Sequence, residues 1–169
     1  MNKPYKQLLS VLTLLVLLFS GCAKESAGPA TYEVPSMDWD TVVSDILPQS
    51  KLTMVNVWAT YCGPCLNEMP GLGELAAEYK PEEFQIIGIV SDVLEGGDSA
   101  LAESLIEQTG AGYTHLLLNE SIYYALLTDV SAVPTTFFFD KDGTVIETVV
   151  GSMEKSKWEE LINELLETQ

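Results

Sequence analysis

Two cysteines, Cys62 and Cys65, are the residues of this chain best suited to chemistry, because only two positions separate them. That spacer lets the two sulfur atoms close a small ring, so the pair can alternate between a dithiol and a disulfide. A predicted helix starts at the pair, where unpaired N–H groups and the positive end of the helix dipole stabilise a thiolate. Cys62 is therefore the predicted nucleophile, and Cys65, one turn further in, is the predicted resolving cysteine.

The same spacing also occurs in zinc sites and in inert structural disulfides. Zinc would need three or four ligands, and outside the pair only His115, in a predicted strand, is at hand. A disulfide across so short a loop constrains little chain entropy, so stability is a weak reason for it. A redox-active disulfide with no metal and no other cofactor is therefore the preferred interpretation.

The residues around the pair predict a strand that leads to it and a helix that leaves it. Residues 52–58 are rich in β-branched and aromatic side chains, which predicts a buried strand. A helix is predicted from about residue 65 to residue 80, where Pro81 stops it. Pro70 lies inside this helix and removes one backbone hydrogen bond, so a kink is expected. The predicted apolar face consists of Leu66, Met69, Leu72, Ala76 and Tyr79.

The middle of the chain alternates between strand and helix patterns. Short apolar runs predict strands at residues 84–90 and 113–118. A turn and a capping residue predict a helix over residues 99–109, ended by Gly110, and a short helix follows at about residues 121–127. Such alternation is typical of an α/β fold.

The C-terminal part predicts a β-hairpin and a closing helix. Residues 135–139 and 144–150 are β-rich and flank a turn at residues 140–143, so the two strands should pair antiparallel. One helical stripe follows, made of Trp158, Leu161, Ile162, Leu165 and Leu166. The whole order predicts a sandwich with a mixed central sheet flanked by helices. Residues 32–50 are expected to contribute a short strand or hairpin.

The stretch at residues 58–65, with the sequence WATYCGPC, resembles a thioredoxin active site. Glu68 and Pro70, which follow it, make the stretch similar to the TlpA/ResA-like branch of extracytoplasmic, tethered thioredoxins. The resemblance implies a thioredoxin-like three-layer sandwich and a thiol-disulfide oxidoreductase. The spacer Gly63-Pro64 matches that of reducing thioredoxins and favours a reductase, while the direction of transfer in the cell stays open.

The resemblance also implies roles for residues outside the cysteine pair. Val133-Pro134-Thr135 stands where thioredoxin-like folds carry a cis-proline beside the disulfide, and the backbone of Val133 would there contact the substrate chain. Without the family context, Pro134 is equally a proline at the start of a strand. Trp58 is expected to shield the disulfide, although plain core packing would give the same pattern.

Glu68 is the predicted acid/base group of the dithiol. It lies one helical turn beyond Cys65, close enough to influence thiol ionisation if it points inward. In the related branch a glutamate at this place assists proton transfer. The buried aspartate of ordinary thioredoxins is replaced by Asn56, which cannot accept that proton. The alternative is a solvated carboxylate on the helix surface.

The N-terminus predicts export and a lipid anchor. Lys3 and Lys6 precede an apolar run at residues 8–19, which is a secretory signal pattern and too short to span a bilayer as a helix. The residues before Cys22 resemble a bacterial lipoprotein box, which implies a signal peptide at residues 1–21 and lipid attachment at Cys22. An ordinary secretory signal is the alternative. A tether is predicted at residues 22–31 and a thioredoxin-like domain at residues 32–169.

The formal charge of −17 bears on the partners of the protein. Such a surface repels phosphate backbones and anionic headgroups, so nucleic-acid binding is excluded, whereas solubility or selection of a basic partner both fit. The resemblance implies protein disulfides as substrates, apocytochrome c among them, and a membrane thiol donor of the CcdA/DsbD type. A monomer on the outer face of the bacterial cell membrane is expected.

Two other functions compete with the reductase. A thiol peroxidase of the peroxiredoxin type would need a proline and a threonine upstream of its cysteine, where Val55 and Ala59 stand. A non-enzymatic copper-binding module of the Sco type would need three residues between the cysteines and a matched histidine. Both fit the sequence less well than thiol-disulfide exchange does.

Overall fold

The strand that leads to the cysteine pair, β1 (Leu52–Trp58), is the central strand of a five-stranded sheet in the computed structural model, which describes residues 33–169. The other strands are β2 (Phe84–Leu94), β3 (Thr114–Leu118), β4 (Thr135–Asp140) and β5 (Val145–Val150). The spatial order is β3-β2-β1-β4-β5. The first three strands are mutually parallel, and β4 runs antiparallel to both β1 and β5. The predicted mixed sheet and C-terminal hairpin are confirmed.

Helices cover both faces of this sheet, which gives three layers. One face carries α1 (Gly63–Glu78), α2 (Ala100–Thr109) and α3 (Lys155–Glu167). The other face carries the helical turns at residues 39–49 and the helical segment at residues 120–127. Two separate apolar clusters therefore form, one on each side of the sheet. The α/β three-layer fold class is confirmed.

The alternation of side chains along β1 explains why the strand is apolar throughout. Met54 and Trp58 point toward α1 and α3, whereas Val55 and Val57 point to the opposite face. Consecutive side chains of a strand face opposite sides, and here both sides are covered, so every residue of β1 is buried. Asn56 lies on the same face as Met54 and Trp58, so its side chain points toward α1.

The N-terminal segment differs from its prediction. Residues 39–49 form consecutive α, π and 3-10 turns, and the expected strand or hairpin is wrong. Trp39, Val42 and Leu47 point into the second apolar cluster from these turns. Covering an exposed sheet face requires a broad apolar stripe, and a helical turn supplies one where an added edge strand would not.

Helix α1 begins two residues earlier than predicted, at Gly63, because Cys62 is its N-cap and Pro64 fits the first turn. The face it buries is also rotated from the predicted one. Leu66 and Ala76 are only half-buried, whereas the inward face consists of Cys65, Glu68, Met69, Leu72 and Leu75. The helix continues through Pro70, and the expected kink stays a prediction.

The predicted signal peptide (residues 1–21), Cys22 and the tether (residues 22–31) lie outside the described residues, and these assignments remain predictions. Within residues 33–169, no helix combines the length and the apolar character needed to cross a bilayer.

Candidate functional site

Cys62 and Cys65 form a disulfide at the N-terminus of α1, with an S–S distance of 1.97 Å and a Cα–Cα distance of 5.3 Å. Cys62 occupies the N-cap position, where its sulfur accepts a hydrogen bond from the backbone N–H of Cys65 at 3.2 Å. A side-chain acceptor at an N-cap satisfies one of the unpaired N–H groups of the first turn. The same N–H group would stabilise a Cys62 thiolate after reduction.

The two cysteines differ in their access to solvent. Cys65 is fully buried, while 6% of Cys62 is exposed. Only Cys62 can therefore be approached from outside, and Cys65 lies behind it against the core of the α1 side. This asymmetry suits one attacking and one resolving sulfur.

The loop that carries Cys62 is fixed by the end of β2, a contact that the sequence did not predict. Thr60 donates its backbone N–H to both carboxylate oxygens of Asp92 at 3.0 Å each, and its hydroxyl donates to Asp92 Oδ2 at 2.5 Å. Ser91 donates its hydroxyl to the carbonyl oxygen of Trp58 at 2.9 Å. Strand β2 reaches Leu94 instead of ending at residue 90, and this extension brings Ser91 and Asp92 to the loop.

The segment at residues 133–135 lies directly beside the disulfide. The peptide bond between Val133 and Pro134 is cis, as the resemblance implied. The carbonyl oxygen of Val133 lies 3.6 Å from Cys62 Sγ, so the backbone of Val133 borders the more accessible cysteine. Thr135 donates its hydroxyl to the carbonyl of Ala132 at 2.8 Å, and Pro134 O accepts from the N–H of Gly151 at 2.8 Å. These two bonds hold the segment in place.

Glu68 points inward, so the alternative of a solvated surface carboxylate is wrong. Its Oε2 accepts hydrogen bonds from the backbone N–H of Met153 and from the indole N–H of Trp158, both at 3.1 Å. Its Oε1 accepts from the side-chain amide of Asn56, also at 3.1 Å. Burial raises the pKa of Glu68, and the three donated hydrogen bonds only partly oppose that effect.

Asn56 is fully buried and donates to Thr136 Oγ1 at 3.0 Å as well as to Glu68. Within residues 33–169 its carbonyl oxygen Oδ1 has no hydrogen-bond partner. A half-turn of the amide would turn Oδ1 toward Glu68, where it can accept a hydrogen bond from the protonated carboxyl group. Asn56 can therefore serve either protonation state of Glu68, although it cannot take the proton itself.

Replacing Glu68 with glutamine is expected to change the pH profile of Cys62 alkylation by iodoacetamide in the reduced protein. With the carboxyl group present, its ionisation and that of the thiols influence each other, so the profile should depart from a single titration step. Glu68→Gln should restore a single step. Glu82 offers a matched control, because it is exposed and takes part in none of the ion pairs among residues 33–169, so that Glu82→Gln removes a carboxyl group outside the site. Identical profiles for the wild type and Glu68→Gln would exclude a role in thiol ionisation.

The same substitution has a signed effect on stability. Because the pKa of Glu68 is raised in the folded protein, the folded state binds this proton more tightly than the unfolded state does. The wild type should therefore lose stability relative to Glu68→Gln as the pH rises from the ordinary carboxyl range through the raised pKa. Urea unfolding of both proteins at about pH 5 and about pH 8 measures the change.

Trp58 is fully buried in the same apolar cluster as the two cysteines, and its indole N–H donates to His115 Nδ1 at 3.2 Å. The imidazole Nε2 lies 3.1 Å from the carbonyl oxygen of Ala111, which makes Nε2 the protonated nitrogen. Gly88 on β2 leaves room for this ring, because a Cβ atom there would collide with the imidazole. His115 is thus a packed core residue, and its bond to Trp58 was not predicted.

No group of three or more metal-ligating side chains occurs in the part of the chain that the structure describes. His115 uses both ring nitrogens within the core, and the two sulfurs are bonded to each other. The carbonyl of Val133 lies beside Cys62 Sγ, and the hydrogen-bonded pair Glu68 and Asn56 lies on the same side of the sheet, with Glu68 one helical turn beyond Cys65. Such a set can position a polypeptide and move a proton beside a dithiol.

A family profile, a curated relative and solved structures all resemble this chain. The sequence profile of the Redoxin family matches residues 28–162. The thiol-disulfide oxidoreductase ResA of Bacillus anthracis is 29% identical over 111 residues, which are 66% of this chain and 61% of ResA. The aligned part of this chain thus spans about three fifths of the length of that curated relative.

Two crystal structures from Chlorobium tepidum share the fold. A protein assigned to the DsbE thiol:disulfide interchange proteins is 25% identical, with a TM-score of 0.58 over 70% of this chain and 82% of its own. A thioredoxin family protein has a TM-score of 0.61 at 19% identity and covers 83% of this chain and 99% of its own. The second similarity concerns the fold alone.

Proposed function

This chain belongs to the Redoxin family, and on that premise we propose that it catalyses thiol-disulfide exchange and reduces disulfides of exported proteins. One observation carries the proposal. Cys62, the more accessible of the two cysteines, caps helix α1 with its sulfur and borders the backbone of Val133, while the fully buried Cys65 is bonded to it. The curated ResA relative, a thiol-disulfide oxidoreductase by name, supports the same activity.

The reaction needs two exchanges at Cys62. Its thiolate attacks one sulfur of the client disulfide, so a mixed disulfide forms and the other client sulfur leaves as a thiolate. The Cys65 thiolate then attacks Cys62 Sγ, which releases the second client sulfur and forms the Cys62–Cys65 disulfide. Two electrons pass to the client, and the client thiolates take up two protons. A donor dithiol must afterwards reduce the protein again.

Within this scheme Glu68 takes up or supplies the proton of the buried thiol, and Asn56 adapts to either state of the carboxyl group. Burial raises the pKa of Glu68 above that of an ordinary carboxyl group, which makes the group a better proton donor and acceptor for a thiol. The carbonyl of Val133 accepts a backbone hydrogen bond from the client chain and aligns it with Cys62. Gly63 and Pro64 separate the two sulfurs at the start of α1.

The proposal extends to the location of the protein. The signal pattern at residues 1–21 and the lipoprotein-like box ending at Cys22 support an extracytoplasmic protein anchored by lipid, with acyl chains contributing about 0.8 kcal/mol for each buried methylene. The ResA-like resemblance supports a membrane thiol donor of the CcdA/DsbD type and clients such as apocytochrome c. The acidic surface, with a formal charge of −17, keeps the domain off anionic headgroups.

The equilibrium potential of the Cys62–Cys65 couple tests the reductase. Protein isolated from membranes is equilibrated in dithiothreitol or glutathione buffers, and thiol trapping measures the reduced fraction. A potential of about −270 mV is expected, whereas a value of about −120 mV would identify an oxidant. The mass of the N-terminal peptide in the same sample shows whether Cys22 carries lipid.

Peroxide consumption is expected to be negligible, since Val55 and Ala59 replace the residues that a peroxidase needs.

A further inference from the structure

The fold leaves several large apolar side chains exposed on the side of the disulfide. Tyr61, directly before Cys62, is 77% exposed, and Tyr124, Leu94 and Tyr123 are 66%, 64% and 46% exposed. An apolar group left in water loses the free energy that burial would give, so a cluster of such groups next to a reactive site marks a contact surface. The sequence did not single these residues out together.

These side chains line two adjoining pockets. The first, about 220 Å³, is lined by Tyr61, Tyr123 and Val133, and the carbonyl of Val133 is the one that lies 3.6 Å from Cys62 Sγ. The second, about 390 Å³, is lined by Leu94, Glu95, Glu120, Tyr123 and Tyr124, and we call it the tyrosine pocket. Tyr123 and Leu118 line both pockets. The surface is therefore continuous from the cysteine to the tyrosine pocket.

The tyrosine pocket combines aromatic rings with negative charge. Tyr123 and Tyr124 meet edge to face, with their ring centroids 5.4 Å apart. Glu95 and Glu120 are exposed, and neither takes part in the ion pairs found among residues 33–169, which join Lys155 and Lys157 to other glutamates. Aromatic faces and carboxylates both attract cations, and a side chain with an apolar stem can also contact Leu94.

We propose that the tyrosine pocket binds a lysine or arginine side chain of the client polypeptide, on one side of the client cysteine that reacts with Cys62. The inference rests on the proposed function and adds a specificity-determining site to it. The occupant is an extended segment of the client, which lies along Tyr61 and Val133 and turns its cationic side chain toward Tyr124. The net charge of −17 favours approach of such a basic segment.

A peptide series tests the pocket. Each short peptide carries one cysteine in a mixed disulfide with glutathione and one arginine, which is moved stepwise along both sides of the cysteine. A matched set carries glutamine instead. The reduced wild type should react about fivefold faster with arginine at its best positions, which should lie on one side only. Rates are measured by thiol trapping at about 0.15 M salt, where long-range attraction is screened.

Two double variants separate the pocket from general charge. Glu95→Gln with Glu120→Gln should remove the preference for arginine, measured as the ratio of the arginine rate to the glutamine rate of the same variant. Glu82→Gln with Glu107→Gln changes the net charge equally, away from the pocket, and should keep the preference. Tyr124→Leu, which retains apolar bulk but loses the aromatic face, should weaken it. Thermal unfolding shows that each variant is folded, and its own rate with the glutamine peptides is the baseline for its preference.

The outcomes distinguish the pocket from the proposed function. A preference that is equal at all arginine positions, or that both double variants reduce alike, would overturn the pocket in favour of general attraction. Equal rates with arginine and glutamine peptides would also overturn it while leaving thiol-disulfide exchange intact. Failure of the wild type to react with any peptide would instead reject the proposed function.

Discussion

Replacing Cys65 with serine is expected to trap the client covalently on Cys62, while replacing Cys62 with serine is expected to abolish exchange. Without Cys65 no internal thiol resolves the mixed disulfide, so a one-to-one complex should accumulate and persist until an external thiol is added. Without Cys62 the remaining sulfur is fully buried and unreachable for a client. Turnover of a disulfide peptide should then fall by several orders of magnitude, to the uncatalysed rate.

The geometry makes the Cys62→Ser variant a clean test. A serine hydroxyl at residue 62 can still accept the N–H of Cys65 and cap α1, and such a cap contributes about 1 kcal/mol. The fold should therefore be as stable as that of the reduced wild type, and the loss of activity reports chemistry alone. Thermal unfolding of the reduced proteins checks this point.

Cys22 supplies the matched control for both variants. Because its predicted role is lipid attachment, Cys22→Ser in detergent solution should exchange disulfides at the wild-type rate. Mass spectrometry under non-reducing conditions identifies the trapped complex and the residue that carries it. Full turnover by Cys62→Ser, or a complex trapped on Cys22, would contradict the assignment of the nucleophile.

The second large effect is a loss of folding stability at acid pH, caused by the protonation of His115 in the unfolded chain. Burial lowers the pKa of His115 from its usual 6.5 to about 4 in the folded protein. The unfolded chain therefore binds a proton between these values while the folded protein does not. Stability is complete above the unfolded pKa and falls as the pH drops toward 4. The full difference corresponds to about 3 kcal/mol below both values.

Burial is the main reason why protonation of His115 is unfavourable, and the hydrogen bond of Nε2 to the carbonyl of Ala111 partly opposes it. Nδ1 accepts the indole N–H of Trp58. A proton on Nδ1 would turn it into a donor, and two N–H groups would then point at each other in the core. His115→Gln keeps an acceptor for Trp58 and a donor for the carbonyl of Ala111 but cannot titrate. Any packing cost of the glutamine is independent of pH. The pH dependence of the difference in unfolding free energy between the two proteins therefore measures the contribution of His115 protonation.

Urea unfolding of the wild type and His115→Gln between about pH 7 and about pH 4 measures this difference. The wild type should lose stability relative to the variant as the pH falls. Glu68 acts in the opposite direction, because its raised pKa favours the folded state on protonation, and it is common to both proteins. A difference that stays constant over this range would show that His115 carries no such linkage.

Local sequence patterns predicted most of the fold. The apolar, β-branched run that forms β1 has the predicted bounds, because a strand that is buried on both faces has a nearly continuous apolar sequence. The αL glycine that ends α2 was equally visible, since Gly110 has a φ of 67°. The prediction for residues 39–49 was wrong because a short apolar run is compatible with both a strand and a helical turn.

The candidate site divides in the same way. The spacing of Cys62 and Cys65 and the helix that begins there are properties of adjacent residues, so the dithiol and its nucleophile could be predicted from the sequence. The burial of Glu68 was decided by Asn56, Met153 and Trp158, which lie 12, 85 and 90 positions away along the chain. Such partners meet only when the sheet is assembled and α3 packs against α1.

The surroundings of Cys62 likewise depend on contacts between distant parts of the chain. Asp92 reaches the Cys62 loop because β2 extends beyond its predicted end, and Tyr123 meets the surface beside Val133 because a helical segment follows β3. Sequence spacing determines which groups can react, since that chemistry depends on neighbouring atoms. The groups that we propose for proton supply and client selection come from separate elements, and only the packing of those elements brings them together.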